Sequence, residues 1–116
     1  MASSDKLLVT LDDGVKRITF NRPERRNSVD VETVELLHEA ITRSADDESK
    51  VVIITGAGDA FCAGADLQAT SERDIKSVDV TASLREHTNP TILAMRGLPK
   101  PIIARVHGHA VGVGCN

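Results

Sequence analysis

Two segments combine an apolar run with a glycine- and alanine-rich sequence, and both could do chemistry through their backbone. They span residues 52–66 and residues 103–114. Small side chains let a ligand approach the main chain, so that peptide N–H groups become available as hydrogen-bond donors. Two such loops that follow parallel strands can converge at one edge of a sheet. Two convergent N–H groups would form an oxyanion hole for a carbonyl oxygen that gains negative charge.

The same segments have two simpler interpretations. Each could be an ordinary turn between a strand and a helix, and one Gly-Ala-Gly sequence is weak support for any function. Gly56-Ala57-Gly58 also resembles the start of a dinucleotide-binding fingerprint. That fingerprint needs a third glycine where Phe61 stands and an acidic residue about 20 positions further on, near Lys76. A dinucleotide-binding module is therefore disfavoured.

Other reactive side chains form few recognisable groups. Arg22, Arg25 and Arg26 are a local positive cluster that could either bind an anion or pair with carboxylates. Cys62 and Cys115 lie far apart, and no cysteine or histidine has the spacing of a zinc site. No metal centre is expected. Both cysteines are predicted to be packing residues rather than partners in a disulfide.

The composition limits the class of protein. A length of 116 residues predicts one domain, and 41% hydrophobic with 27% charged residues is typical of a globular protein. A net charge of −3 and 2% aromatic residues disfavour nucleic-acid binding. No apolar run approaches the ~20 residues that span a bilayer, and the N-terminus lacks the apolar run of a signal peptide. We expect a cytoplasmic protein with neither membrane nor nucleic-acid partners.

Four segments are predicted to be strands. Residues 7–11 and 15–21 flank an Asp-Gly turn and are expected to form a hairpin. Residues 51–55 are a continuous apolar run, which is typical of a strand buried on both faces in a parallel sheet. Residues 102–106 are predicted to be a second buried strand. Each buried strand would lead into one glycine-rich segment.

Helices are predicted between these strands. Asp30 or Ser28 can cap a helix that runs to about Ser44, with apolar residues three and four positions apart. Residues 81–98 are expected to be helical, with a break or restart at an Asn-Pro pair. Residues 67–80 are interpreted as a loop with a short helix at most.

Three motifs occur in a fixed order along the chain. Residues 21–28 follow N-R-P-E-x-x-N-[AS], residues 55–67 follow T-G-x-G-x-x-F-[CS]-A-G-x-D-L, and residues 98–114 follow L-P-K-P-[VI]-I-A-x-V-x-G-x-A-x-G-x-G. Together they resemble the enoyl-CoA hydratase/isomerase family, the crotonase superfamily. The resemblance covers nearly the whole chain and corresponds to about the first half of a family member.

The resemblance implies an α/β fold, a crotonase-like spiral of β-β-α units. Residues 1–116 would form the N-terminal part of an acyl-CoA-binding core, a truncated spiral in a single domain. Family members bind acyl-CoA thioesters, stabilise an enolate-like intermediate and usually assemble as trimers or hexamers. Coenzyme A would be part of the substrate, so that no separate cofactor is implied.

The resemblance also implies roles for particular residues. The backbone N–H groups of Ala65 and Val113 match the two oxyanion donors, and Asn116 occupies the position of a catalytic glutamate in the hydratases. Residues of the CoA and thioester path match Arg25, Ser28, Val29, Ala63, Asp66, Leu67, Val111 and Gly112. Asp66 is also a candidate cap for a following helix.

Asn116 carries an expectation about the reaction. An amide has no titratable proton near neutral pH, so it cannot replace glutamate as a general base. The small residues before Asn116 also resemble the ring-1,2-epoxyphenylacetyl-CoA isomerase branch of the family. Isomerase-type chemistry is therefore favoured over hydration. The alternative is a catalytically incomplete fragment that binds CoA weakly or only associates with other chains.

Overall fold

A computed structural model describes residues 5–66 and 84–116. Its central feature is one four-stranded sheet with the strand order β1-β2-β3-β4. β1 pairs with β2 in antiparallel orientation, whereas β2 with β3 and β3 with β4 are parallel. The strands are β1 (Leu7–Asp12), β2 (Val15–Phe20), β3 (Val51–Gly56) and β4 (Ile102–Ala104).

The predicted hairpin is confirmed. Asp13 and Gly14 both have positive φ angles, 50° and 81°, which the Asp-Gly sequence accommodates at the turn between β1 and β2. Ile18 and Phe20 alternate with less buried residues along β2 and lie in the core. The period of two in the sequence therefore identifies the face of the hairpin that packs inward.

The first predicted helix is also confirmed as α1 (Val31–Ser44). The cap is Asp30 rather than Ser28, because the Asp30 carboxylate accepts hydrogen bonds from the backbone N–H of Thr33 at 2.9 Å and from its hydroxyl at 2.7 Å. Partial burial alone would raise the pKa of Asp30. Hydrogen bonds from Lys6 and Thr33 outweigh burial and hold that pKa well below its usual range.

The second helix begins where the sequence suggested a break. A π-helical turn, Leu84–Thr88, leads directly into α2 (Asn89–Gly97), which packs against α1. The proline of the Asn-Pro pair lies in the first turn of α2, where its missing N–H is not needed. Residues 67–80 and 81–83 lie outside the described ranges. Neither α1 nor α2 is long and apolar enough to cross a membrane, nor is any other helix of the described ranges.

The expectation of two fully buried strands is wrong in two respects. β4 ends at Ala104, and Ile103 and Val106 remain 52% and 53% exposed, because β4 lies at the edge of the sheet and pairs only with β3 among the described strands. In β3, Val52 is fully buried whereas Ile53 is only half-buried. Burial on both faces requires layers on both sides of the sheet, and an apolar run does not specify them.

Asp47 links β2 to the segment just before β4. Lys16 on β2 is 3% exposed, and its ammonium donates to the Asp47 carboxylate at 2.6 Å and to the Ala40 carbonyl at 3.3 Å. Lys100, just before β4, donates to the Ser44 carbonyl and to the Asp47 carbonyl. Burial alone would raise the pKa of Asp47, but hydrogen bonds from Lys16 and Ser49 hold that pKa well below its usual range.

Candidate functional site

Residues 61–66 lie between two other backbone segments. On one side, the N–H of Ala63 donates to the Arg26 carbonyl at 3.0 Å, and Val29 exchanges bonds with residues 64 and 66. On the other side, the N–H of Cys62 donates to the His109 carbonyl, and the N–H of Val111 donates to the Cys62 carbonyl, both at 3.0 Å. The first glycine-rich segment therefore fixes the position of the second.

The N–H of Ala65 points away from its neighbours in the adjacent segment. The Gly64 carbonyl accepts from the N–H of Val29 at 2.8 Å. In a trans peptide, the C=O of one residue and the N–H of the next point in opposite directions, and the chain has no cis peptide among its described residues. The Ala65 N–H therefore faces away from Val29. It donates to no acceptor in the described ranges, and Ala65 is exposed.

The N–H of Val113 also points away from a carbonyl that is held by hydrogen bonds. Val113 lies in a single 3₁₀ turn, Gly112–Gly114. The Gly112 carbonyl accepts from the N–H groups of Cys115 at 3.0 Å and Asn116 at 3.3 Å, so the Val113 N–H points out of the opposite end of the turn. It too has no acceptor within residues 5–66 and 84–116.

The amides of Ala65 and Val113 occupy equivalent positions in two paired segments. Cys62 and Ala110 form a parallel bridge, and Ala65 and Val113 each come three residues after it. Gly64 and Gly112, the residues just before them, pack against each other, because a Cβ built on Gly112 would lie 4.0 Å from the Gly64 Cα. Both glycines have positive φ angles, 97° and 57°. These turns bring Ala65 and Val113 into one region of the structure.

An apolar cavity of about 600 Å³ lies beside Val113. It is bounded by α1, α2 and the carboxyl-end half of the sheet, and both Val113 and Asn116 line it, whereas Ala65 does not. Among the described residues, the lining is mostly aliphatic and includes no Asp, Glu or His. Its residues are Phe20, Val29, Val34, Leu37, Ile54, Phe61, Cys62, Thr88, Thr91, Ile92, Met95, Arg96, Ile102, Ala104, Val106, Ala110, Val113, Gly114, Cys115 and Asn116.

Two of the three clustered arginines, Arg22 and Arg25, are paired with carboxylates. Arg22 Nη2 lies 3.0 Å and Arg25 Nη1 lies 3.3 Å from the carboxylate oxygens of Asp66, whose side chain is 5% exposed. Arg22 also lies 3.6 Å from Asp30. Of the two roles that the sequence allows for Arg22 and Arg25, the structure shows ion pairing. Whether Asp66 also caps a helix lies outside the described residues, since residues 67–83 follow it.

The other predicted site residues fall beside these groups. Ser28 is half-buried, and its carbonyl accepts from Arg22 Nη1 at 3.2 Å. Val29 is 8% exposed and contacts both the core and the cavity. Val111 is 53% exposed, and Leu67 lies outside the described ranges. Three segments that are distant in the sequence are thus neighbours in the structure: residues 25–29, 63–66 and 111–116.

The two cysteines differ in environment. Cys62 is 1% exposed and belongs to the core, as predicted. Burial raises the pKa of its thiol, and a hydrogen bond from the backbone of Gly64 only partly opposes that effect. A reactive thiolate at Cys62 is therefore disfavoured. The prediction is wrong for Cys115, which is exposed.

Sequence reasoning missed Asn27. Its side-chain amide is buried, donates to the carbonyls of Ala57 and Ala60 at 2.9 and 2.8 Å, and accepts from the N–H of Arg22 at 2.9 Å. Asn27 also has a φ of 59°, a conformation that asparagine tolerates better than most residues. The asparagine that ends N-R-P-E-x-x-N was the available signal. The Asn27 side chain connects the loop that contains Arg22 to the first glycine-rich segment.

Comparison with known proteins identifies the family. Residues 10–116 match the family model described as "Enoyl-CoA hydratase/isomerase". The chain belongs to the enoyl-CoA hydratase/isomerase family. The resemblance carried by the three motifs is thereby confirmed.

Several relatives agree with this assignment. A probable enoyl-CoA hydratase of Mycobacterium tuberculosis is 39% identical over all of this chain and 44% of its own length. The 1,2-epoxyphenylacetyl-CoA isomerase of Escherichia coli is 36% identical over 93% of this chain and 42% of its own length. The chain thus spans less than half the length of these relatives. Hydratases and isomerases both occur among them.

Solved structures confirm the fold. An enoyl-CoA hydratase from Mycobacterium avium subsp. paratuberculosis superimposes with a TM-score of 0.84 at 36% identity, over 98% of this chain and 43% of that one. An enoyl-CoA hydratase from Bacillus anthracis gives a TM-score of 0.83 at 32% identity, over 94% of this chain and 42% of that one. The predicted α/β, crotonase-like fold is therefore correct.

The dinucleotide-binding interpretation is wrong. A dinucleotide fingerprint places the pyrophosphate at the N-terminus of a helix directly after the strand. Here residues 57–66, which follow β3, form turns and isolated bridges rather than a helix. The loop instead packs against Asn27 and the second glycine-rich segment.

Within the described part of the chain, no three His, Cys, Asp or Glu side chains are grouped to hold a metal ion.

Proposed function

We propose that the chain contributes an oxyanion hole to an enzyme that acts on acyl-CoA thioesters. The N–H groups of Ala65 and Val113 would donate to the thioester oxygen as it gains charge in an enolate. The observation that carries this proposal is their shared geometry. Each amide follows an anchored carbonyl, and each lies three residues beyond the Cys62–Ala110 bridge.

Backbone donors suit this role because they are fixed before the reaction. The Gly64 and Gly112 carbonyls are held by hydrogen bonds, so neither peptide needs to reorient as charge develops. One such donor typically contributes about 3 kcal/mol of transition-state stabilisation. Coenzyme A enters as part of the substrate, and the apolar cavity beside Val113 would receive the acyl group.

The character of the cavity favours isomerase-type chemistry over hydration. Asn116 lines the cavity, and an amide cannot take a proton from water as a general base. The described lining residues include no Asp, Glu or His, so we propose that the group that moves the proton is supplied by another part of the protein. The relatives include both reaction types, and the choice therefore rests on Asn116.

A second candidate follows from the same observation. A site with two oxyanion donors but no carboxylate among its described lining residues could bind acyl-CoA without turning it over. This non-catalytic function predicts affinity for acyl-CoA together with no hydration of crotonyl-CoA and no migration of its double bond. Turnover by the full chain would exclude it.

The binding experiment compares two ligands that differ by one oxygen. Butyryl-CoA carries the thioester carbonyl, whereas S-butyl-CoA, a thioether, has a methylene in its place. Two neutral hydrogen bonds contribute about 1 kcal/mol each, so the thioester should bind at least ~10-fold more tightly. Equal affinity measured by titration calorimetry would overturn the proposal.

A backbone substitution tests the donor itself. Replacing Val113 by the α-hydroxy acid of the same side chain exchanges its N–H for an oxygen. The preference for the thioester should then fall by about 5-fold, in line with one lost hydrogen bond. Val113→Ala is the matched control, because it shortens the side chain and keeps the N–H.

The assembly and location of the protein form part of the same proposal. We propose that a full-length protein containing this chain is a homotrimer or hexamer in the cytoplasm, with an acyl-CoA as its small-molecule partner and neither nucleic acid nor membrane as a partner. A monomeric sedimentation coefficient of that full-length protein at micromolar concentration would refute the assembly.

A further inference from the structure

The geometry points to the Arg22–Asp66 ion pair as the device that positions the Ala65 N–H. This inference rests on the proposed function, because it concerns one of the two proposed oxyanion donors. Asp66 follows Ala65 directly, and its carboxylate lies 3.0 Å from Arg22 Nη2. The two side chains are 5% and 13% exposed. Arg22 and Asp66 are therefore positioning residues that act through the peptide between them and the substrate.

The Ala65 peptide needs an anchor beyond its own backbone bonds. Gly64 has a φ of 97° and no side chain, so the peptide that joins it to Ala65 can rotate more freely than most. Both neighbouring backbone bonds involve Val29, which donates to the Gly64 carbonyl and accepts from the N–H of Asp66 at 2.9 Å. The Asp66 side chain supplies a separate attachment immediately after the donor.

Arg22 is well placed to hold that attachment still. Its backbone N–H donates to the buried Asn27 side chain, and its guanidinium also donates to the Ser28 carbonyl at 3.2 Å. It lies 3.6 Å from Asp30, the residue that caps α1. A planar guanidinium can make these contacts at once, whereas the single ammonium of lysine cannot reproduce that fork. Arg22 therefore connects the start of α1 to Asp66.

Two roles for Arg22 make different predictions. A ligand of the CoA phosphates would contribute equally to the binding of a thioester and a thioether, because both carry the same phosphates. A positioning residue would contribute only to the thioester, which alone has an oxygen for the Ala65 N–H. The charge of Arg22 already faces the carboxylates of Asp66 and Asp30, which favours the positioning role.

The test measures both ligands on the full chain by calorimetry. In Arg22→Met, affinity for butyryl-CoA should fall by about 5-fold, the effect of one misaligned hydrogen bond, while affinity for S-butyl-CoA stays within ~2-fold. Arg22→Lys should restore part of the difference. Arg43→Met is the matched control, because Arg43 pairs with Glu39 on the exposed face of α1, at 2.9 Å. An equal loss for both ligands would establish phosphate binding and overturn the inference.

A second measurement decides the inference even if the wild-type chain shows no thioester preference. That result would remove the proposed function, but not the claim about the peptide. The NMR chemical shift of the Ala65 N–H should then change in Arg22→Met and stay unchanged in Arg43→Met, because the shift depends on how the amide is oriented. Asp66→Asn provides the isosteric variant if Arg22→Met does not fold. An unchanged Ala65 shift in a folded Arg22→Met or Asp66→Asn variant would refute the positioning role.

Discussion

Gly64 lies directly against the backbone carbonyl of Val111. A Cβ built on Gly64 would stand 2.8 Å from that oxygen, which is closer than real Cβ contacts allow. This contact joins the segment that carries Ala65 to the segment that carries Val113. The two glycine-rich segments therefore form one unit, and the spacing between the proposed donors depends on the absence of a single methyl group.

Gly64→Ala should lower the free energy of unfolding by about 2 kcal/mol, because alanine is strained at a φ of 97° and its methyl group meets the Val111 oxygen. Chemical denaturation measures the change. The control is Gly97→Ala at the end of α2, where a Cβ has no heavy atom within 4 Å. That substitution should be neutral or stabilising by about 0.5–1 kcal/mol. Equal effects at both positions would contradict the described packing.

Asn27→Asp should destabilise the protein by about 3 kcal/mol at neutral pH. The substitution replaces an amide that donates to the Ala57 and Ala60 carbonyls with a carboxylate that repels them, in a buried site. Asn21→Asp is the matched control, because the Asn21 amide makes an exposed bond to the Asp5 carbonyl. Thermal or urea denaturation should show a much larger loss of stability for Asn27→Asp than for Asn21→Asp. Similar losses of stability would contradict a stabilising role for the buried hydrogen bonds of Asn27.

Asp47→Asn should cost on the order of 3 kcal/mol at pH 7, because it leaves the buried Lys16 ammonium without its counter-charge. The pKa of Asp47 is lowered on folding. Its contribution is therefore present above the ordinary aspartate pKa of about 4 and is lost as the pH falls below it. The difference in stability between wild type and variant should narrow from pH 5 towards pH 2.

The pH experiment has a neighbouring control. Asp46 is exposed, so Asp46→Asn should leave both the stability at pH 7 and its acid dependence close to wild type. A difference between wild type and Asp47→Asn that stays constant down to pH 2 would show that the pairing with Lys16 does not carry the acid sensitivity.

The two thiols should differ in reactivity towards iodoacetamide. Cys115 is exposed and should be alkylated in the native protein, whereas Cys62 is buried with a raised pKa and should react only after denaturation. Mass spectrometry of the digested protein identifies the modified residue. In Cys115→Ser the native reaction should disappear. Rapid native alkylation of Cys62 would mean that the core around it opens.

Features that depend on local chemistry could be predicted from the sequence. The Asp-Gly turn and the capped start of α1 follow from residues within a few positions of one another. The two glycine-rich segments were also identified as a pair, since each comes after an apolar run. Their relative register could not be derived in this way, because it is set by the bridge between Cys62 and Ala110.

Features that depend on distant partners could not be predicted. Asp66 meets Arg22 across 44 positions of sequence, and nothing in either local pattern specifies that pairing. The exposure of β4 depends on which strands lie beyond it, so its apolar composition was misleading. Asn27 looks like an ordinary loop residue until three backbone groups are found around its side chain.

The amide of Val113 is oriented by the hydrogen-bonded carbonyl of Gly112 rather than by the Val113 side chain. The identity of residue 113 is thereby uncoupled from the hydrogen bond that its backbone can offer. Exchanging valine there for a smaller or larger residue would reshape the adjoining apolar chamber and leave the electrostatics intact. Under the proposed function, a single codon would therefore change the preference for the acyl group and leave both proposed oxyanion donors in place.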